Sequence, residues 1–570
     1  MKKFIFILFV LLIAQKINAQ QFIRSAYLSK PTFNSISIRM MLDTSTTVFV
    51  VYGKDSFALT DTSERVISTA NQMLALEMKG LEAASTYFYK LACWGPKDNQ
   101  TQYTPVYSFK TAKPAGQSFS FVVQADPHMD NQTDTAILFR STLNQLQDKP
   151  DFLIDLGDFL MTDKLRNAAK IVTQDTLSYR CHLLSNFYEK SAHSLPVFIA
   201  LGNHEGESGW NLNGNENNIA VWNTNLRNQF FPNPFPNTFY TGDTTSYSFV
   251  GKRAAYYAWH WGDALFVVLD PYWHTSTKPD SLNGWRWTLG KLQYDWLTRT
   301  LESSNATFKF VFAHQLIGGD PDGRGGVEFA DLYEWGGKNL DLTEGFATHR
   351  PGWEMPIKEL LKKYKVNVFF HGHDHFFAKQ EKECLIYQET PQPGHPNFSN
   401  AGQAQGYGYV SGEILPNSGY LRVHVDSSQA KIEYVRNYKP SDETSNRKNK
   451  DVSNVYFINK RNCYDSVSTS TPVIWNQQYV DEMVYPNPFS TSTTIEFSLT
   501  IEQQVSLVIY NLKGQLVKEL LTKNTLAPGR YRIDWDGIDA ANRFVADANY
   551  VYQLKGSCGV LKSGQLIYKK

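Results

Sequence analysis

At 570 residues the chain is too long for a single hydrophobic core, so its length predicts several domains joined by surface connections. Its 56 Lys and Arg residues nearly balance its 55 Asp and Glu residues, which argues against the broad basic field that binds nucleic acid or an anionic membrane. The five cysteines are odd in number and widely spaced, so they indicate neither a disulfide framework nor a zinc finger.

The N-terminus has the three-part pattern of a secretory signal peptide. Lys2 and Lys3 precede an apolar run over residues 4–14, and a small-residue cleavage point follows at Ala19. The apolar run is too short to span a bilayer. We therefore predict a signal peptide over residues 1–19, export of the chain, and no transmembrane segment after cleavage. A buried N-terminal strand or helix is the alternative interpretation.

Residues 20–114 are predicted to form a small β-sandwich. Short alternating runs at residues 35–39 and 48–52 are separated by Thr, Ser, Asp and Gly turns, without a helical period. The stretch at residues 81–91 resembles the leucine-to-tyrosine corner of fibronectin type III modules. Such modules often precede catalytic domains of the purple-acid-phosphatase type. This resemblance therefore indicates which kind of domain can follow, but it identifies no catalytic residue.

The chain changes character after a short breaker at residues 113–116, where buried-strand and helical patterns begin to alternate. The strand-like runs lie at residues 119–125, 152–155, 197–201, 308–313 and 366–370. Two segments have the three- and four-residue steps of a helix with one apolar stripe facing a sheet, formed by Ala136, Phe139, Leu143 and Leu146 and by Leu289, Leu292 and Trp296. We therefore predict an α/β domain with buried strands over residues 115–460.

Polar side chains of the metal-ligand type follow all five strand-like runs. They are Asp126 and His128, Asp158, Asn203 and His204, His314, and His373 and His375. Because loops at the carboxyl ends of such strands converge on one crevice, we expect these side chains to meet. Their oxygen and nitrogen donors suit Zn, Mn or Fe better than Ca. Each motif alone has an ordinary explanation as a turn or a hydrogen-bonded His, but the set does not.

The order of these motifs resembles that of the calcineurin-like metallophosphoesterase superfamily, and the resemblance implies a four-layer α/β/β/α domain with two metal ions. The implied ligands are Asp126, His128, Asp158 and His375 for the first ion and Asp158, Asn203, His314 and His373 for the second. Asp158 would then bridge the ions. The implied reaction is hydrolysis of a phosphate monoester or diester by a hydroxide that both ions share, with His204 as the acid for the leaving group.

The sequence departs from two subgroups of that superfamily. Purple acid phosphatases bind Fe(III) through the tyrosine of a Gly-Asp-x-x-Tyr motif, whereas Met161 stands at the matching position here and His128 fills the coordination gap. The extended Asn-His-Glu-Phe-Asp signature of 5′-nucleotidases is also missing, because Gly206 and Glu207 follow Glu205. The expected cofactor is a pair of divalent or mixed-valence ions of Zn, Mn or Fe. Met161 argues against the purple subgroup and its Fe(III) site.

Two further residues are predicted to contact the substrate. Arg324, in a Gly-rich loop after His314, is placed to reach a phosphate group, with a solvated loop as the alternative. His371 would line the pocket or orient a ligand, with a buried structural His as the alternative. Asp374 either supports the ligands or is solvated. A set of aromatic residues forms either a pocket wall or ordinary packing: Trp273, His274, Trp285 and Trp287.

Residues 461–482, rich in Ser, Thr and Asn, are predicted to be a linker before an immunoglobulin-like β-sandwich over residues 483–570. The Tyr485-Pro-Asn-Pro-Phe489 and Trp535-Asp-Gly537 motifs resemble C-terminal sorting domains of the type IX secretion system. The resemblance implies recognition by the secretion machinery and a location outside the cell or attached to its outer surface. A plain adhesive sandwich is the alternative.

Taken together, the motifs predict an exported binuclear-metal phosphoesterase that acts on a phosphate-ester small molecule. The alternative, from another class, is a catalytically silent, metal-stabilised binding or adhesion protein at the cell surface that has kept the fold. The complete ligand set and His204 favour the enzyme, because a protein that needs only the fold has no use for an acid.

Overall fold

The computed structural model describes residues 22–95, 100–167, 169, 171–280, 283–320, 323–460, 482–499, 502–511, 515–556 and 559–570. The predicted signal peptide lies outside these ranges, as does the predicted linker except Glu482. The chain divides into two compact units, Met1–Asn462 and Cys463–Lys570. Across the described ranges, none of the helices combines the length and the apolar character that a membrane crossing requires.

The first unit begins with a β-sandwich. Its strands are β1 (Phe22–Ser29), β2 (Ser35–Leu42), β3 (Thr47–Gly53), β4 (Asp61–Thr62), β5 (Val66–Ile67), β6 (Met73–Lys79), β7 (Thr86–Gly95), β8 (Gln100–Tyr103) and β9 (Tyr107–Lys110). One sheet has the order β1-β2-β6, and the other is built on β3 and β7. Side chains alternate across a strand, so Ile36 and Ile38 are buried in the shared core while Ser35 and Ser37 are half-buried. The predicted β-sandwich is confirmed.

The central domain follows with fourteen further strands among its described residues. They are β10 (Phe119–Gln124), β11 (Phe152–Asp155), β12 (Val197–Ile199), β13 (Thr241–Gly242), β14 (Tyr257–Trp261), β15 (Ala264–Val268), β16 (Phe308–Phe312), β17 (Val368–His371), β18 (Phe377–Lys382), β19 (Leu385–Glu389), β20 (Glu413–Leu415), β21 (Gly419–Val425), β22 (Gln429–Arg436) and β23 (Val452–Asn459). Its helices are α1 (Thr135–Gln147), α2 (Gln174–Ala192), α3 (Ile219–Phe230), α4 (Lys291–Glu302), α5 (Tyr333–Gly336), α6 (Phe346–His349), α7 (Ile357–Lys363) and α8 (Gln403–Gly406).

Two sheets stack face to face in this domain. One has the order β12-β11-β10-β21-β22-β23 and the other β13-β14-β15-β16-β17-β19-β18-β20. Phe121 and Phe152 of the first sheet pack against Phe266 of the second, with ring centroids 5.1 and 5.3 Å apart. Helices α2 and α3 cover the outer face of the first sheet, and α4 and α7 cover that of the second. The predicted four-layer α/β/β/α architecture is confirmed.

Both predicted helices exist, but the predicted apolar stripe of the first is wrong and that of the second is only partly right. In α1, Phe139 is 42% exposed, and the buried face carries Ile137 and Leu138 together with polar residues. Two of these, Asn144 and Gln145, form hydrogen bonds with side chains of other elements, which satisfies their polar atoms inside the fold. In α4, Leu292 is 56% exposed, whereas Trp296 is buried, as is Leu289 just before the helix. In α1, the buried face is therefore a different one from the stripe that periodicity predicts.

The second unit is a β-sandwich of its own. Its strands are β24 (Glu482–Tyr485), β25 (Thr493–Leu499), β26 (Gln503–Asn511), β27 (Leu516–Leu526), β28 (Gly529–Trp535), β29 (Ala548–Gly556) and β30 (Gly559–Tyr568). The sheets β24-β25-β28 and β27-β26-β29-β30 enclose one apolar core that includes Phe497, Leu507 and Trp535. The predicted C-terminal β-sandwich is confirmed.

Candidate metal centre

The predicted metal ligands follow the carboxyl ends of parallel strands from both sheets. Asp126 and Asp158 come after β10 and β11 of one sheet, and His314 comes after β16 of the other. Because the two sheets are stacked, these ends meet at a common edge. Two groups of ligand-type side chains form there, and within each group the ligand atoms lie within 4.8 Å of one another: Asp126, His128 and His375, and Asp158, His314 and His373.

Asp126 lies at the centre of the first group. Its Oδ1 atom is 3.3 Å from His375 Nε2 and 3.5 Å from His128 Nε2. Its Oδ2 atom accepts a hydrogen bond from the backbone N–H of His373, at 2.9 Å. One carboxylate oxygen is therefore held by the backbone while the other faces two imidazole nitrogens.

His314 lies at the centre of the second group. Its Nε2 atom is 3.0 Å from Asn203 Oδ1, 3.1 Å from Asp158 Oδ2 and 3.2 Å from His373 Nδ1. Its Nδ1 atom is 2.8 Å from the carbonyl oxygen of Leu156, so Nδ1–H donates to that oxygen and leaves Nε2 as the free ligand atom. Asn203, predicted as a ligand, thus joins this group.

The spacing of these donor atoms fits metal coordination. Two donors bound to one ion at about 2.1 Å stand about 3.0 to 3.4 Å apart for octahedral and tetrahedral angles. The separations around His314 and those between Asp126 and its two histidines lie close to this range. Moreover, Asp126 Oδ1 and His128 Nε2 are buried and have no hydrogen-bond partner among the described residues. Since buried polar atoms are normally paired, these atoms fit an ion between them.

The electrostatics of the centre also favour cations. Burial opposes the charged forms of His128 and His314, yet the surrounding carboxylates raise the pKa of His128 to about 12 and that of His314 to about 9. Burial likewise opposes ionisation of Asp158, but the histidines around it hold its pKa well below the usual range. The two buried carboxylates therefore create a negative potential at the position where the two groups meet.

Five of the predicted ligands lie on strained backbone. Asp126, His128, Asp158, His373 and His375 all have positive φ angles, between 48° and 78°. Residues other than Gly adopt this conformation rarely, and it is concentrated at functional sites where the surrounding structure fixes it. All five residues lie in the loops that follow β10, β11 and β17.

Two glycines of the sequence motifs are required by close packing of the loops. Gly157 has φ of +98°, and a Cβ atom there would clash with the backbone of Gly202. A Cβ atom on Gly202 would in turn clash with Asp158 Oδ1. The Gly-Asp and Gly-Asn-His motifs therefore contain glycine because their two loops are in direct contact.

His204 lies beside the second group. Its backbone N–H donates to Asp158 Oδ1 at 2.8 Å, and its Nε2 atom is 3.9 Å from Asp158 Oδ2. Its Nδ1 atom makes a short contact with Asp163, whose carboxylate accepts a hydrogen bond from Nδ1–H. Burial opposes the imidazolium, but Asp158 and Asp163 outweigh this effect and raise the pKa of His204. Asp163 belongs to no motif, so the sequence alone does not predict its role.

Glu205 belongs to the Gly-Asn-His-Glu motif, but its role of holding neighbouring loops in position is not predictable from the motif. It is fully buried, and its carboxylate accepts hydrogen bonds from the backbone N–H groups of Asp158, Phe159 and Leu160 at 2.8 to 3.1 Å and from that of Gly202. It thereby ties the Asp158 loop to its own loop. Burial and the neighbouring Asp158 raise the pKa of Glu205 to about 7.

Arg180 of α2 joins two ligand loops from the other side. Its guanidinium donates to the backbone carbonyls of His128 and Met129 in one loop and to those of Phe159 and Leu160 in the other, at 2.6 to 3.2 Å. It is only 6% exposed. The one available sequence signal is a charged residue next to Leu177, Cys181 and Leu184 on the buried face of a helix.

The two predicted substrate residues lie near the centre with their polar groups already engaged. The guanidinium of Arg324 donates to Asp374 at 2.9 Å and to the carbonyl oxygen of His373 at 3.0 Å, and it stacks over Tyr407. His371 is buried with its Nδ1 atom 2.8 Å from Glu389. Burial lowers the pKa of His371 to about 3 and raises the pKa of Glu389. Substrate contact by either residue stays a prediction.

The four predicted aromatic residues have different surroundings. Trp273 stacks against Arg253, with the guanidinium carbon 3.9 Å from the ring centroid, and Trp285 stacks on His349, with ring centroids 4.4 Å apart. His274 packs beside Tyr247. Trp287 alone of the four lines the cavity that contains Asn203 and His204. Sequence spacing does not distinguish these positions.

Comparison with known families and structures agrees with this geometry. The family described as Calcineurin-like phosphoesterase matches residues 119–377, and the family described as Secretion system C-terminal sorting domain matches residues 483–535. The second match marks the chain for secretion and attachment at the outer surface, as predicted. No curated protein matches the sequence.

Two solved structures have a similar fold at low sequence identity. A structure of PhoD is 16% identical with a TM-score of 0.56, and the similarity covers 80% of this chain and 94% of that chain. The purple acid phosphatase PPD1 from yellow lupin (Lupinus luteus) seeds is also 16% identical, with a TM-score of 0.50 and coverage of 80% and 78%. At this identity the likeness concerns the fold alone. Residues 119–377 of this chain are therefore a calcineurin-like phosphoesterase domain, in a protein that also carries a C-terminal sorting domain for secretion.

Proposed function

We propose that the chain is an exported binuclear-metal phosphoesterase that hydrolyses phosphate monoesters or diesters. The observation that carries this proposal is the position of Asp158 between the two ligand groups. Its Oδ2 atom is 3.1 Å from His314 Nε2 in one group and 3.8 Å from His128 Nε2 in the other. A carboxylate between two such groups is placed to bind an ion in each.

The donor set fits two ions of Zn, Mn or Fe. Asp126, His128, Asp158 and His375 would hold the first ion, and Asp158, Asn203, His314 and His373 the second. When bound, such ions supply Lewis acidity, which lowers the pKa of water and balances the charge of the phosphoryl oxygens. Glu205 and Arg180 keep the loops that carry these ligands at a fixed separation.

His204 supplies the proton for the leaving group in this proposal. Asp163 fixes its ring by accepting from Nδ1–H, so Nε2 is directed towards Asp158 and the open site. The side chain is 20% exposed, which leaves Nε2 accessible to a substrate. The proton on Nε2 would pass to the alkoxide or phenoxide oxygen as its bond to phosphorus breaks.

The test is an assay of purified protein whose metal content is measured by elemental analysis. We expect it to hydrolyse 4-nitrophenyl phosphate or bis(4-nitrophenyl) phosphate, to lose this activity with a chelator, and to regain it with Zn, Mn or Fe at close to two ions per chain. The preferred ester separates monoesterase from diesterase activity. Protein that binds two ions yet hydrolyses neither ester would contradict the proposal and favour the silent surface protein.

Substitution of His204 by Ala is expected to slow hydrolysis in a way that depends on the leaving group. General acid catalysis contributes about 10²- to 10⁴-fold, and it matters less when the leaving group is a good one. We therefore expect a large loss of kcat with phenyl phosphate and a much smaller loss with 4-nitrophenyl phosphate. The exposed His424 on β21 provides a control, because His424→Ala should change neither rate. Equal losses with both esters would contradict the acid role.

A further inference from the structure

A cavity opens directly beside the proposed acid. It is lined by Asn203 and His204 of the candidate centre, by the cationic residues Arg166 and Lys278, and by the aromatic residues Trp210 and Trp287. Because His204 would protonate the leaving group, the cavity that contains its side chain is the space into which the leaving group extends. The other lining residues are thus placed to contact that part of a substrate.

The charges in this cavity are unbalanced. Arg166 and Lys278 are both exposed, and neither side chain forms an ion pair with a carboxylate in the described part of the chain. The neighbouring Arg286, by contrast, pairs with Asp280. Among the described residues of the cavity wall, Asp163 is the one acidic residue, and it forms a hydrogen bond with His204. Two cationic groups therefore face the cavity without an ion pair to a described residue.

Another part of the cavity wall is aromatic and apolar. Trp210 and Trp287 meet edge to face, with ring centroids 5.9 Å apart and an interplanar angle of 75°. Trp287 also packs edge to face against Tyr272, with centroids 5.8 Å apart, and is only 5% exposed. Ile219 adds a further apolar contact. These packed rings form a rigid apolar surface suited to a planar group.

We propose that this cavity selects phosphate esters whose leaving group is planar and carries a second negative charge, with Arg166 and Lys278 binding that charge. The inference rests on the proposed function and deepens it, because it assigns a substrate class to the leaving-group side of the same centre. Two cations on loops outside the ligand motifs add selectivity by charge, while the metal ligands and His204 carry out the reaction.

The experiment compares two esters that differ in one charge. 4-(Carboxymethyl)phenyl phosphate and 4-(carbamoylmethyl)phenyl phosphate have nearly the same shape, and the methylene group insulates the phenol oxygen from the substituent. For the wild-type protein with metals bound, we expect kcat/KM to be about tenfold higher for the carboxylate, the effect of two partly exposed ion pairs. This ratio should fall as salt is added, because exposed charges are screened.

In the double variant Arg166→Gln/Lys278→Gln the ratio of the two kcat/KM values is expected to fall to about one. Lys164 provides the matched control, because it is an exposed lysine two residues from Arg166 that does not line the cavity. Lys164→Gln should leave the ratio at its wild-type value. A wild-type ratio near one, or the same ratio in the double variant as in the wild type, would overturn the inference while the hydrolysis itself upheld the proposed function.

If neither ester is hydrolysed, the proposed function fails. A binding experiment then tests separately whether the cavity binds a second negative charge. Calorimetric titration with the two corresponding benzylphosphonates, which cannot be hydrolysed, measures the same difference in charge. Tighter binding of the carboxylate that is lost in the double variant would support the anion subsite. Equal binding of the two phosphonates to the wild type would overturn it.

Discussion

Replacement of Asp158 by Asn is expected to lower kcat/KM for an aryl phosphate by about four orders of magnitude, the size of loss seen when a central catalytic group is removed. The reason is its position: the Oδ2 atom of Asp158 lies within 4 Å of imidazole nitrogens from both ligand groups and of His204. Asn keeps the size of the side chain and an oxygen that can accept from the His204 N–H, but it removes the negative charge.

The measurement pairs kinetics with metal content and thermal unfolding. Wild-type protein should gain stability on adding metal, by about 2.7 kcal/mol when the free metal is 100 times its Kd, and Asp158→Asn should lose most of this gain. Asp151 is the matched control, because it is equally buried and lies just before β11, the strand that Asp158 follows, but it pairs with Lys110 and Lys113. Asp158→Asn protein with wild-type activity and two bound ions would refute the bridging assignment.

Much of the candidate centre is predictable from the sequence because its ligands follow buried strands. A strand covered on both faces has a continuous apolar run, and the residues just beyond it are fixed at the edge of the sheet. Asp126, Asp158 and His314 come directly after such runs, so their convergence follows once the strands are stacked. Gly157 before Asp158 and Gly202 before Asn203 are visible in the motifs, although the close contact between these two glycines is not.

The supporting residues are not predictable in this way. Arg180 donates to backbone carbonyls. Every residue has such a carbonyl, so the acceptor residues cannot be recognised from their identity. The role of Asp163 depends on its hydrogen bond with His204, which lies 41 positions away in the sequence. The prediction for Arg324 followed from its position in a Gly-rich loop, but the folded chain brings Asp374, 50 positions later, against its guanidinium. Each of these contacts depends on tertiary structure that local patterns do not encode.

Replacement of Glu207 by Ala is expected to lower the free energy of unfolding by about 3 to 5 kcal/mol, the usual cost of breaking a buried ion pair from one side. Glu207 lies in a fully buried cluster with two arginines. Its carboxylate is 2.5 Å from Arg227 and 3.1 Å from Arg253, and Arg253 also pairs with Asp270 at 2.7 Å. The two acids balance the two bases, so removal of Glu207 leaves one buried positive charge uncompensated.

Urea unfolding followed by tryptophan fluorescence measures this change as a lower midpoint for the first unit. The transition of the second unit, whose core contains Trp535, should not move. Glu354 is the control, because its ion pair with Lys363 is exposed and Glu354→Ala should cause no measurable change. An unchanged midpoint in Glu207→Ala would mean that the cluster contributes nothing to stability.

The two carboxylates Glu205 and Glu207 anchor the same loop at two points. Glu205 binds the backbone of the Asp158 loop, whereas Glu207 binds arginines of α3 and of the segment before β14. Glu207→Ala is therefore expected to lower stability but not metal binding, and Asp158→Asn to lower metal binding but not folding. Below its unfolding transition Glu207→Ala should still bind two ions, whereas Asp158→Asn should fold normally and lose them. If both variants lost metal and stability together, the ligand loops and the buried cluster would form a single cooperative element, and the metal centre would depend directly on the Glu207 cluster.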